Sequence, residues 1–215
     1  MTASPNCDPR PEGGVIDMLV LHYTGMPTGA QALARLCDPA AKVSAHYVIE
    51  EDGRVFPLVA EEMRAWHAGV SFWRGNRDIN ARSIGIELVN PGHEFGYRPF
   101  PEAQMQSLIG LAQGILSRHP IPSRNVVGHA DVAPTRKEDP GELFDWPRLA
   151  GVGIGVWPGE AAAGGDPAAL LAAWGYDVGD LPAAITAFQR HFRPERVDGV
   201  ADGETLGRLA GLVAQ

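Results

Sequence analysis

The run Ile16-Asp17-Met18-Leu19-Val20-Leu21-His22-Tyr23 is nearly continuous in apolar residues over the length of one strand, and it constrains the chain more than any other feature. A strand of this kind must be covered on both faces, so the sheet that holds it needs a layer on each side. The rest of the sequence supplies those layers. Between Pro101 and His119, residues Met105, Leu108, Ile109, Ala112, Ile115 and Leu116 recur at three- and four-residue steps, which predicts an amphipathic helix. Thr28, with Gln31 three residues on, has capping-box spacing and opens a shorter helix whose inward face is Ala30, Leu33 and Cys37 or Leu36; Asp38-Pro39 stops it. His46 to Ile49 and Arg54 to Val59 flank Glu51-Asp52-Gly53, a pair of strand-like runs around hairpin chemistry. Ser83 to Val89 alternates, with Ile84, Ile86 and Leu88 on one face and Gly85 and Glu87 on the other, and Asn125 to Gly128 is a short strand ending at His129. Strand, helix, hairpin, strand, helix, strand is the order of an α/β fold with a central mixed β-sheet flanked by helices.

The texture changes after Trp146. Gly151, Gly153, Gly155, Pro158 and Gly159, followed by Ala161-Ala162-Ala163-Gly164-Gly165, offer few side chains to pack, and residues 151–165 read as a linker. Three short helical patterns come next: Leu170, Leu171 and Trp174; Ile185, Phe188 and Phe192; and Leu206, Leu209 and Leu212. The expected organisation is a tail at 1–14, an α/β domain at 15–150, the linker, and a small three-helix domain at 166–215. A chain of 215 residues with 45% hydrophobic composition can fill both cores.

Charge narrows the partners. Eighteen basic against twenty-six acidic residues leave a formal net charge of −8, which gives no general field to attract a nucleic-acid backbone or an anionic membrane. The longest apolar stretches fall well short of the ~20 residues a membrane span needs. The N-terminus, Met1 to Arg10, has neither the basic nor the apolar region of a secretory signal, so the expectation is a cytoplasmic monomer, with a periplasmic location as the alternative if a signal has been removed. Cys7, in a polar, proline-flanked tail expected to be mobile, and Cys37 are read as reduced thiols.

Seven histidines are present. His93, His119 and His191 lie in loop or helix-surface contexts without a partner in sequence and are read as ordinary solvated residues. His22 and His129 each end a strand, where open sheets commonly present functional groups, and Asp139 follows ten residues after the second. Two imidazoles and a carboxylate form a zinc set with a fourth position left for water, although by spacing alone the signal is weak.

Five blocks strengthen it: Leu21-His22-Tyr23-Thr24; Ser44-Ala45-His46-Tyr47-Val48-Ile49; Ala65-Trp66-His67-Ala68-Gly69; Ile79 to Asn90; and Val127-Gly128-His129-Ala130-Asp131 with Lys137-Glu138-Asp139-Pro140-Gly141. With these in this order, the chain resembles the zinc-dependent type-2 N-acetylmuramoyl-L-alanine amidases over roughly residues 15–147. The C-terminal piece, with Ala187 to Phe192 and Asp198 to Leu206, is similar to the three-helix peptidoglycan-binding domain often appended to such hydrolases. The resemblance implies that His22, His129 and Asp139 hold Zn2+ and that Glu87 and Lys137 are catalytic. Phage members have cysteine as third ligand; aspartate here makes a harder Lewis acid. Tyr47 stands in the block where the phage branch has a tyrosine and is given a supporting role at most.

That chemistry is coherent. Amide cleavage needs a nucleophile, stabilisation of the carbonyl oxygen and a proton for the departing amine; zinc, a carboxylate and an ammonium supply them. Trp66 and His67 read equally well as a wall of the substrate groove or as a core aromatic with its hydrogen-bond partner. Arg77 and Asn80 are read as contacts to the stem peptide's carboxylates, though such loop residues also cap turns. The implied substrate is a peptidoglycan fragment, in particular a 1,6-anhydro-muropeptide met during recycling. The alternatives are a non-catalytic muropeptide-recognition protein and an exported wall-remodelling amidase.

Overall fold

The computed structural model describes residues 3–159 and 161–215; Met1 and Thr2 of the expected tail and Glu160 of the expected linker lie outside the described residues. The strands are β1 (Cys7–Pro9), β2 (Met18–Tyr23), β3 (Tyr47–Ile49), β4 (Val55–Pro57), β5 (Met63–Ala65), β6 (Ser83–Leu88) and β7 (Val126–Gly128). The helices are α1 (Gly29–Cys37), α2 (Ile79–Arg82), α3 (Gly92–Phe95), α4 (Glu102–Arg118), α5 (His129–Val132), α6 (Trp146–Gly151), α7 (Pro167–Trp174), α8 (Leu181–Phe192) and α9 (Gly203–Val213).

Five strands form the central sheet in the order β4-β3-β6-β2-β7, with β3, β6, β2 and β7 parallel and β4 antiparallel on the edge. The sheet is mixed, as the element order predicts, and β3 and β4 make the expected hairpin. The pleat sorts the apolar residues of β2 to two sides. Leu19 and Leu21, with Ile84, Ile86 and Leu88 of β6, pack against Met105, Leu108, Ala112 and Ile115 of α4. Met18 and Val20 point the other way, into a core containing Trp73, Ile79 and Val127. That second core also contains Leu171, Trp174, Tyr176, Phe188, Phe192, Leu209 and Leu212, so the C-terminal helices form the other covering layer.

Three expectations need correction. The 1–14 segment is not a loose tail where it is described: β1 pairs with β5, Ser4 and Asn6 are buried, and the Arg10 guanidinium donates to the carbonyls of Glu61, Asn80, Ala81 and Ser83. The 151–165 stretch is only partly linker, because Ile154 is buried against the α4 core and Trp157 packs on both cores. On α1 the buried residues are Gly29, Ala32 and Leu36, while Ala30 faces solvent and Leu33 and Cys37 are only partly buried, so apart from Leu36 the buried stripe lies one residue ahead of the expected one. Cys7 and Cys37 are not joined in a disulfide.

Candidate active site

Register builds the site. His22 and Glu87 are lateral partners on neighbouring parallel strands, so both leave the sheet on the face opposite α4, near the carboxyl ends. At the next strand over, β7 runs directly into α5, whose first residue is His129. The chain then turns back through 133–139, and the Asp139 carbonyl accepts from the Ala130 N–H at 2.9 Å, which brings the Asp139 carboxylate to the same point. Gly128 permits this return: a Cβ there would lie 2.7 Å from Pro140 Cδ.

His22 Nδ1, His129 Nδ1 and Asp139 Oδ2 lie 2.9, 3.0 and 3.1 Å from one another, and all three residues are buried. Their other ring atoms fix which nitrogen is free. His129 Nε2 donates to the Ala68 carbonyl at 3.0 Å, which leaves Nδ1 as the bare lone pair. His22 is oriented through a longer chain that ends at a carbonyl and therefore has one direction. Ser83 Oγ donates to Ile79 O, His67 Nε2 donates to Ser83 Oγ, and His22 Nε2 donates to His67 Nδ1. Burial, followed by the neighbouring His129, lowers His22 to a pKa of about 4, so it is neutral at pH 7, the form that binds a metal. Burial works to raise Asp139, but its contacts with His129 and His22 outweigh this and hold it well below the usual carboxylate range. Two neutral imidazoles and one carboxylate are borderline nitrogen and hard oxygen donors that suit zinc with a position to spare.

The ligand group opens onto a cleft of about 400 Å³ whose lining includes Trp66, His67, Glu87, His93, Arg136 and Lys137. Glu87 Oε2 is buried and has no hydrogen-bond partner among the described residues. Burial and the charge of Asp139 raise its pKa well above the ordinary value, with Lys137 opposing. A carboxylate kept thirsty for a proton beside a metal site has the properties of a general base.

The remaining sequence candidates divide. Trp66 lines the cleft, with its indole Nε1 donating to Asp8 at 3.2 Å. His67 serves both readings, since it lines the cleft and also orients His22. Asn80 is buried, and its Oδ1 accepts from the N–H groups of His67 and Ala68; it shapes the loop and does not reach into the cleft. Arg77 lies outside the cleft, with its guanidinium over the Phe72 ring. Tyr47 belongs to the α4 face of the sheet and donates to Glu61 at 2.7 Å, because β3 alternates and only Val48 shares the side of Glu87. These three are corrections to the expected substrate contacts.

Two residues escaped the sequence reading. Arg136, to which the sequence gives no role, donates to the carbonyls of Ala68 and Val70 and clamps the Trp-His-Ala-Gly loop over the metal ligands. His191, read as solvated, is buried and bonded to Asp131. Neither had a sequence signal, because their partners lie roughly sixty residues away along the chain.

Comparison with known proteins agrees with this geometry. Residues 12–142 match the family described as N-acetylmuramoyl-L-alanine amidase (Amidase_2). The chain is 42% identical over 230 residues to N-acetylmuramoyl-L-alanine amidase AmiD of Escherichia coli K12, covering 92% of this chain and 82% of AmiD. It is 35% identical to the 1,6-anhydro-N-acetylmuramyl-L-alanine amidase AmpD of the same organism, over 68% of this chain and 87% of AmpD. A solved structure of E. coli AmiD, in complex with anhydro-N-acetylmuramic acid-L-Ala-D-γ-Glu-L-Lys, superposes with a TM-score of 0.83 at 39% identity, covering 99% of this chain and 90% of that one. Pseudomonas aeruginosa AmpDh3 with an anhydromuramic pentapeptide gives 0.83 at 37%, over 91% and 90%. With a zinc-suited His2Asp centre, a buried Glu87 oxygen without a hydrogen-bond partner among the described residues, and a match over residues 12–142, the chain belongs to the N-acetylmuramoyl-L-alanine amidase family and is an amide-cleaving enzyme.

Proposed function

We propose that the substrate is a soluble 1,6-anhydro-muropeptide, cut at the amide between the lactyl group of the anhydro-sugar and the first L-alanine. The carrying observation is the convergence of His22 Nδ1, His129 Nδ1 and Asp139 Oδ2 at the floor of an open cleft, with the partnerless Glu87 Oε2 on the same face. His22, His129 and Asp139 would hold zinc, which when bound lowers the pKa of water towards ~7 and polarises a carbonyl.

Each remaining step falls to a side chain of this chain. Glu87 accepts the proton of the attacking water, and its raised proton affinity suits the task; it then returns that proton to the departing alanine nitrogen. Lys137 lines the cleft and presents its ammonium where negative charge grows on the carbonyl oxygen. Trp66 offers a flat apolar wall for the sugar. AmiD and AmpDh3 solved with anhydro-muramyl peptides support the anhydro form.

The setting we propose is peptidoglycan recycling in the cytoplasm. Among the described residues no helix is long and apolar enough to cross a membrane. Purified protein, loaded with zinc and incubated with anhydro-muropeptide, should release free stem peptide and anhydro-sugar by mass spectrometry, and a chelator should abolish the reaction. Bound zinc without cleavage would leave a recognition protein instead. Fractionation of the untagged protein tests the location, and a wholly periplasmic pool would overturn it.

A further inference from the structure

Asp131 sits two residues after His129 and is buried at 1% exposure. A carboxylate so placed must find partners. One comes from its own turn: the Gly128 N–H donates to Oδ2 at 2.7 Å. Two come from the C-terminal helical layer, beyond the residues that match the family. The Tyr176 hydroxyl donates to Oδ1, and His191 Nδ1 donates to Oδ2 at 2.7 Å. His191 is itself fixed, with its ring stacked between Trp146 and Phe192 at 3.7 Å from each. Beside it on α8, Arg190 reaches Glu138, the residue before Asp139, at 2.7 Å.

One helix therefore touches the segments that carry two of the three ligand side chains. α5 is a single turn of four residues and has no stability of its own. The position of His129 depends on what holds that turn, and a metal site loosened by ~0.5 Å loses affinity. The Arg190–Glu138 pair is half in solvent and contributes little. The Asp131 node is sealed and carries the effect.

We infer that Tyr176 and His191 are positioning residues of the metal centre, so that the C-terminal layer, through Asp131, sets the geometry of His129. The inference rests on the metal-ligand assignment above.

The test uses the full chain and zinc affinity, measured by competition with a chromophoric chelator, together with the visible absorption of the cobalt-substituted protein. Tyr176→Phe and His191→Leu are expected to weaken zinc binding by about 10- to 100-fold at temperatures where the metal-free protein stays folded, and to alter the cobalt spectrum. His191→Asn, which keeps a donor near the place of Nδ1, should restore most of the loss. Leu212→Ala, a buried position in the same core that is not among the hydrogen-bond partners of Asp131, should lower thermal stability while leaving zinc affinity within about twofold. Unchanged affinity and spectrum in folded Tyr176→Phe would overturn the inference, as would an equal loss in Leu212→Ala. Should His191→Leu fail to fold, the nearly isosteric Tyr176→Phe decides. Wild-type protein that binds no zinc would remove the metal assignment and the inference with it; wild-type binding with indifferent variants removes the inference alone.

Discussion

Replacing Gly85 with alanine tests the reasoning about the site without touching any proposed ligand or catalytic group. A Cβ on Gly85 would lie 2.5 Å from His67 Cγ, 2.6 Å from Nδ1 and 2.7 Å from Cδ2, closer than any such contact can persist. The imidazole must move, because strand β6 is held on both sides by β2 and β3. Moving it breaks the bonds to His22 Nε2 and Ser83 Oγ, at about 1 kcal/mol net each, in addition to about 1–3 kcal/mol for overpacking. Alanine recovers up to about 1 kcal/mol by restricting the unfolded chain. The net cost is about 2–4 kcal/mol, which for a chain of this size lowers Tm by about 5–15 °C. Because His67 sets the tautomer of His22, zinc affinity should also fall about tenfold or more. Thermal melts of the metal-free protein and a chelator competition measure the two effects separately. A Tm within about 2 °C of wild type, with unchanged zinc affinity, would refute the account of Gly85 as the space His67 occupies.

Further expectations concern chemistry and pH. Glu87→Ala should keep zinc and lose turnover by a factor of about 10² or more, whereas His129→Ala should lose both, as metal analysis and a peptide-release assay would show; near-full activity in Glu87→Ala would remove it as the base. Asn80→Ala leaves the His67 and Ala68 N–H groups without their acceptor and should cost about 1–3 kcal/mol in denaturant unfolding, while the corresponding change at exposed Arg77 should cost little. Burial raises the Glu61 carboxyl, but Arg118, Tyr47 and His119 outweigh it and bring the pKa to about 2. Its folded pKa lies below the unfolded value near 4.5, so its contribution is complete above pH 4.5 and is lost as pH falls towards 2. Glu61→Gln should flatten the stability profile across that interval; an unchanged slope would contradict the assignment.

The sequence announced the sheet because an apolar run that tolerates no water on either face leaves few architectures, and the direction of Glu87 followed from the period of two. The helix stripe on α4 was equally legible, since Met105, Leu108, Ala112 and Ile115 are buried as their spacing requires. Side chains whose meaning depends on distant partners were not legible. Asn80 looked like a ligand contact because amides of loops often are, yet its acceptor is used on the backbone of residues 67 and 68. Tyr47 fell on the wrong face because a family block transfers residue types more reliably than it transfers the strand register. The small hydrophobic C-terminal helices read as a separate unit, since nothing local tells a face that packs on its own neighbours from one that completes another layer.

The residues recognisable as family, 12–142, begin just after Arg10 and end before the helices that complete the second core. An excised fragment with those limits would forfeit the guanidinium that ties four carbonyls together at one end and would remove Leu171, Trp174, Phe188 and Leu212 from the core that holds Met18, Val20 and Val127 at the other. In this protein the buried core runs past the stretch that inheritance marks as a unit.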